Sequence, residues 1–507
     1  MINRFYFSQT VKGLGLIVLC VIALHSNIYA QPDSVWTRLF NGTHNDYGYS
    51  VQQTTDGGFV LCGSKQAFLS GPSDIWVIKT NANGDTIWTS TVGGGNTEEG
   101  FTIRQTADGG YIIAGMISTG NNKPILVKLD SNGDFQWQQV YAQDVFFTTW
   151  AHDMTVSSQG GYVLTGRRGV DPDGNEDFFL LKVDGVGDTL WNKIYGGPDN
   201  DRANSIIETM DGGYVVTGYT GERFQSSWPD VWLLRTDSNG DTLWSRKYGD
   251  SDAQVAKCVR QTSDGGFIIT GYDGVFGEFS ISDILLIKTD ANGDTVWTRT
   301  FYASMAGKGY AVRETSDHGF VVCGTVNNFP NMLDVVVFKT DVNGNLLWEI
   351  TFSSPNEDRA YDIEQIDDNG FILTGMWGFR QNVSFSDAFL MRLEPDVPTG
   401  IGQSPTVDVS GFELFNNYPN PFNPATILRF QIPQRNLSDR GLTTLTVYDV
   451  LGKEIKTLVN EAFAPGSYEV RWDGTDNAGQ AVSSGVYLYQ LRVGNAYVQT
   501  RKMVLMR

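Results

Sequence analysis

Apolar and polar positions alternate in short runs along most of the chain, and the runs come back in a fixed order. One unit holds Ser50–Thr54, Gly58–Leu61, Asp74–Lys79 and a fourth run opening at Thr86-Ile87-Trp88. Each run is too short for a helical period and is bounded by Gly, Asn or Asp, which predicts β-strands. Asp56-Gly57-Gly58 joins the first two runs and Asn83-Gly84-Asp85 the last two. Gly and Asn accept the positive φ of tight hairpin turns. Four such strands in roughly 52 residues make one blade of a β-propeller.

The unit occurs seven times. Trp36, Trp88, Trp137, Trp191, Trp244, Trp297 and Trp348 recur at spacings of 52, 49, 54, 53, 53 and 51. The Asp-Gly-Gly turn and the Asp74–Lys79 strand recur in step with them. The seventh unit stops after its third strand, near Glu394. Asp33-Ser34-Val35-Trp36-Thr37 mirrors Asp294-Thr295-Val296-Trp297-Thr298, so the N-terminal strand is predicted to complete the last blade. Such closure removes an open sheet edge.

The short turns all fall on one face. The other face carries the long connections, predicted over 64–73, 167–176, 219–229, 272–282, 376–386 and 142–153. Variable loops on a rigid scaffold are where binding concentrates. The reading is therefore all-β: a seven-bladed propeller over 31–394, a linker rich in Pro and Gly over 395–411, and a small Ig-like β-sandwich over 412–507.

Composition narrows the function. The formal charge is −20 in 507 residues, while ten Lys/Arg stand against eight Asp/Glu from Phe412 onward. The acidity thus lies in the propeller, and it argues against nucleic acid or an anionic membrane as partner. Arg4 and Lys12, the apolar run 14–24 and Ile28-Tyr29-Ala30 read as a signal peptide (residues 1–30) cut after Ala30, and no other run suits a transmembrane segment. Cys62, Cys258 and Cys323 lack metal spacing and read as small buried residues.

Two resemblances follow from these residues. The segment Lys288–Trp297 resembles the tryptophan-docking blades of quinoprotein-like propellers, but those usually have eight blades and an adjacent Cys pair that this chain lacks, so no quinone cofactor is expected. The tail resembles the type A, Ig-like C-terminal sorting domain of type IX secretion system cargo. The residues that carry it are Tyr418, Pro419, Asn420, Pro421, Phe422, Asn423 and Pro424, then Val447-Tyr448-Asp449, Leu451-Gly452, Trp472-Asp473-Gly474 and Lys502-Met503. That resemblance implies passage through the periplasm, the type IX machinery as partner, and a secreted or outer-surface location.

Candidate chemistry is sparse. The repeating Trp residues read as packing between blades. The Asp-x-Asn-Gly-Asp turns, as at Asp290–Asp294, open like a calcium loop, but Gly stands fourth rather than sixth, so they read as hairpin turns with no metal. Asp46, Glu98, Asp201 and Asp358 occupy equivalent positions, which favours loop capping over catalysis. Arg104, Arg260 and Arg313 are equivalent inner-strand residues, suited either to an anion channel or to packing. His44, His152 and His318 are far apart, and no nucleophile or metal motif appears.

Residues outside the repeat carry the site expectation. Phe146, Phe147 and Trp150 crowd one connection beside His152, and Trp228 and Trp377 stand in two others. Loop aromatics bind sugar or protein. The expectation is a non-catalytic binding or adhesion protein with a glycan or protein ligand on the long-loop face. The alternative is a polysaccharide hydrolase or lyase using carboxylates of that face.

Overall fold

The computed structural model describes residues 32, 34–40, 44–66, 71–141, 148–169, 175–221, 228–250, 252–274, 282–301, 306–328, 332–354, 356–379, 386–395, 413–414, 417, 422, 424–432, 442–461, 466–494 and 497–506. Its contacts divide into two units, Tyr29–Val397 and Pro398–Arg507 with the first 28 residues.

The first unit is a seven-bladed propeller of four-stranded antiparallel sheets. Blade 1 runs through Asp46–Gln53, Phe59–Gln66, Ser73–Thr80 and Thr86–Val92. Ser34–Phe40 pairs with Asp387–Leu393 and supplies the outer strand of blade 7. The ring therefore closes as the repeat predicts.

Three repeated devices hold it. The outer-strand Trp of each blade packs on the second-strand aromatic of the next, as in Trp88–Tyr111 at 5.5 Å and Trp297–Phe320 at 5.8 Å between ring centroids. The third strand ends in a buried cation that reaches the Asp-Gly-Gly turn. Lys79, Lys128, Lys288 and Lys339 pair with Asp56, Asp108, Asp264 and Asp317 at 2.7–2.9 Å. Arg235 and Arg392 do the same with Asp211 and Asp368. Blade 3 has Gln159 there, and Lys182 donates to the Gly160 carbonyl at 2.9 Å, with no carboxylate partner among the described residues. Third, the last inner-strand residue accepts from a turn amide of the preceding blade, as Gln105 does from Thr55 at 2.9 Å and Gln261 from Met210 at 3.0 Å.

The inner strands begin about four residues earlier than the alternation suggests, at Asp46 rather than Ser50 in blade 1. Small residues make this possible. A Cβ at Gly48 would stand 2.3 Å from the Thr374 hydroxyl of the neighbouring blade. For the same reason Trp150 and His152 belong to the inner strand Thr149–Val156, not to a connection. Trp377 likewise lies in the strand Phe371–Phe379 rather than in a loop.

Cys62, Cys258 and Cys323 are buried and unbridged. The second unit is a two-sheet sandwich, one sheet of three strands and one of four. Trp472, Tyr489, Phe430 and Leu445 form its core.

Candidate functional site

The inner strands surround the propeller axis and place seven side chains at each of three levels. From the long-loop side, the upper tier is Tyr47, Glu99, Trp150, Arg202, Val255, Lys308 and Arg359. The middle tier is Tyr49, Phe101, His152, Asn204, Lys257, Tyr310 and Tyr361. The lower tier is Gln52, Arg104, Thr155, Ile207, Arg260, Arg313 and Glu364.

Every middle-tier residue is the extra residue of a β-bulge. The ladder between the first two strands skips Tyr49, Phe101, His152, Asn204, Lys257, Tyr310 and Tyr361 in turn. A bulge frees a residue from cross-strand pairing and re-aims its side chain. Here it singles out one residue per blade on the innermost strand.

The middle tier is mostly aromatic. Tyr310–Tyr361 and Tyr361–Tyr49 stand at 5.2 and 5.4 Å, Tyr49–Phe101 at 5.4 Å and Phe101–His152 at 6.3 Å. This arc runs through blades 6, 7, 1, 2 and 3, and Trp150 joins it edge-on to His152 at 6.1 Å. His152 bonds the Ala203 carbonyl through Nδ1 at 2.9 Å. Burial, with Arg167 close by, lowers its pKa to about 3, so the ring is neutral.

The axis is also cationic within an acidic protein. The three tiers hold seven Lys or Arg against two carboxylates, Glu99 and Glu364. Burial raises the pKa of both acids. In the upper part Glu176 holds Arg167 at 3.4 Å and also pairs with Arg202. Arg167 lies over the Trp150 ring at 4.4 Å. In the lower part Arg313 pairs with Asp362 at 2.7 Å, while Arg104 and Arg260 donate to backbone carbonyls of their own strands at 2.7 Å.

The four repeated acids serve their own loops. Asp358 accepts from the Ser354 amide at 2.5 Å and the Gly378 amide at 2.7 Å, and Asp201 from the Gly197 amide at 2.9 Å. All four, with Asp46 and Glu98, are at most 4% exposed. The Asp290 turn closes on itself. One Oδ1 accepts from the amides of Asn292 and Asp294 at 2.8 and 2.9 Å. The three histidines named above are not brought together.

Of the aromatic candidates, Trp150 stands at the channel mouth and Trp228 is 52% exposed on the long-loop side of blade 4. Trp377 packs edge-on against Phe389 at 5.7 Å in blade 7. Phe146, Phe147 and Ala30 lie outside the described residues, as do Tyr418, Pro419, Asn420, Pro421 and Asn423. Phe422 is buried, 5.6 Å from Trp472, and exchanges backbone bonds with the last strand through Val504 and Met506. Pro424 is exposed.

Two features escaped the sequence reading. Asp250, Asp252 and Asp273 place carboxylate oxygens within 4.8 Å of one another on blade 5, where the Gln254 amide donates to Asp250 and Asp273 at 2.7 Å. The other is the bulge tier. Its signal was the small residue that precedes it in every blade: Gly48, Gly100, Ala151, Ala203, Ala256, Gly309 and Ala360.

Comparison with known proteins bears mainly on the tail. Residues 435–496 match the family model of the FlgD Ig-like domain. A stretch of 176 residues is 24% identical to the regulatory protein FlaEY of Caulobacter vibrioides, covering 30% of this chain and 18% of that protein. The chain thus spans under a fifth of the curated relative it matches. PorZ, an essential bacterial surface component of the type IX secretion system of Porphyromonas gingivalis, is similar in structure over 89% of this chain and 58% of that one. Its TM-score is 0.44 at 13% identity. A protein of unknown function from Dyadobacter fermentans is similar over 72% of this chain and 99% of that one, with a TM-score of 0.43 at 11% identity.

Proposed function

We propose that the chain is a non-catalytic binding protein of the cell surface or medium, exported by the type IX system through its Ig-like tail. Its ligand, a glycan or a protein, meets the long-loop face of the propeller, where Trp150 and Trp228 stand. The observation that carries this reading is the bulge tier: one residue of each inner strand leaves the ladder, and five of the seven, each an aromatic ring or imidazole, meet across blades 6, 7, 1, 2 and 3. Binding sites combine such convergent polar groups with aromatic walls.

The hydrolase reading has less support. Across the upper and middle tiers Glu99 is the one carboxylate among fourteen described positions. Glycoside hydrolysis uses two flanking carboxyl groups. In the tail, the FlgD Ig-like match and the burial of Phe422 against Trp472 support a folded recognition module.

The test is a glycan and matrix-protein array with the purified chain beside a Trp150→Ala/Trp228→Ala variant. Trp377 is left intact because its ring packs on Phe389. Saturable binding lost in the variant at unchanged melting temperature is the expected result. Turnover of a polysaccharide by the wild type would overturn the non-catalytic reading.

A further inference from the structure

We propose that the central channel is an anion site, and that it takes a carboxylate-bearing sugar of an acidic glycan between Lys257, Lys308 and Arg359. The inference rests on the recognition reading above and gives it a chemical class.

Lys257 is the reason. It is the bulge residue of the inner strand of blade 5. Among the described residues its ammonium has no hydrogen-bond acceptor and no ion-pair partner. The charges that face it are of its own sign: Lys308 from blade 6, and Arg202 from blade 4 and Arg167 from blade 3, which share Glu176. A half-buried ammonium among like charges is unfavourable in the empty protein. An anion placed there would relieve it and gain charge-assisted hydrogen bonds.

The surroundings select the rest of the ligand. Lys308, Tyr310, Leu333 and Arg359 line a small open hollow between blades 6 and 7, where Arg359 also pairs with Glu357 at 3.3 Å. Tyr310 continues into the arc with Tyr361 and Tyr49. Aromatic faces of this kind cover the apolar side of a pyranose, whereas the cations address its carboxylate. The overall charge of −20 opposes a polyanion lying over the surface, so the attraction is confined to the mouth.

Trigalacturonate and its methyl ester differ in the carboxyl charge and one methyl group per sugar, and serve as the probe pair for calorimetry on the full chain at low salt. The acid is expected to bind, the ester about tenfold or more weaker, and Lys257→Met and Lys308→Gln each to lose a similar factor, the size of a charged hydrogen bond. Lys257→Met is expected to fold without loss of melting temperature. Equal binding of acid and ester, or unchanged affinity in both variants, overturns the inference. Binding of a sulfated trisaccharide in place of the acid moves the site to sulfate esters and overturns the carboxylate. Tight binding of an oligo-aspartate peptide with neither sugar bound overturns the glycan. Array binding that depends on Trp150 and Trp228 but not on Lys257 keeps the recognition reading and overturns the anion site alone.

Discussion

The ring of Trp36 lies against the backbone of Gly84, so close that a Cβ at position 84 would stand 2.7 Å from it. The first strand of the chain and the first Asn-Gly-Asp turn are thereby locked across the closure of the propeller. The same pairing recurs as Trp88 on Gly133 and Trp244 on Gly293. Gly84 also has a φ of 77°, where an L side chain costs roughly 1–2 kcal/mol.

Two glycines separate these causes. Gly57 has a φ of 78° and open space around it, so Gly57→Ala is expected to cost about 1 kcal/mol, the conformational penalty alone. Gly84→Ala adds an overpacked Trp contact and is expected to cost about 3 kcal/mol. Urea denaturation of both variants measures the difference, and equal costs would remove Trp36 from the account.

The buried cation of blade 3 lacks the carboxylate its counterparts have. Gln159→Asp is expected to supply one to Lys182, whose pKa burial lowers, and to stabilise by about 1 kcal/mol. A fall in melting temperature would show that the turn of blade 3 cannot bring the carboxylate to Nζ.

Stability should pass through a maximum on the acid side of neutrality. Asp56, Asp108 and Asp264 are held at about 2 by their Thr, Lys and amide partners, against the desolvation that raises Asp56 and Asp264. A depressed carboxylate stabilises above its unfolded pKa of roughly 3.9, and that is lost as pH falls toward 2. Burial acts oppositely on Asp201, Asp358, Glu98 and Glu364, whose pKa values it raises. Those groups take up protons first in the folded state, so stability rises as pH drops from neutral toward 4. Denaturation midpoints across pH 2–8 should trace the maximum, and Asp56→Asn should flatten its acid limb.

Lys257 has its own signature. Burial and the facing Lys308, Arg202 and Arg167 bring its pKa down to about 8, while His152 on the same tier stays neutral. The folded state releases this proton before the unfolded state does. Stability is therefore expected to rise as pH climbs from about 8 toward 10.4, and Lys257→Met to abolish that rise. Anion affinity should move the other way, falling above about pH 8.

The blade repeat was legible because its causes are local. Asn-Gly and Gly-Gly turns, alternating runs and one Trp per unit each leave a mark at fixed spacing, and seven copies raise that mark above chance. Even the closure could be read, since Ser34–Thr37 is visibly a stray fourth strand. The Arg104, Arg260 and Arg313 positions were legible for the same reason, being equivalent in the repeat.

The upper channel was not. Tyr49, Lys257 and Tyr361 precede the regular alternation and read as loop, because a bulge breaks the period of two on which strand reading depends. Trp377 was likewise read as loop, at the far end of a strand, since the length of a connection does not say where its strand ends.

The sequence by itself determined the number of blades, their order, the ring closure and the sandwich of the tail. These follow from hydrophobic period and turn chemistry, which act between near neighbours. Only the tertiary structure decided that seven bulge residues from seven blades gather on the strands around one axis, and that Lys257 meets three cations there and, among the described residues, no partner. Residues 50 apart in sequence become neighbours when the blades close into a ring, and the electrostatics of a shared, half-desolvated channel exist only then.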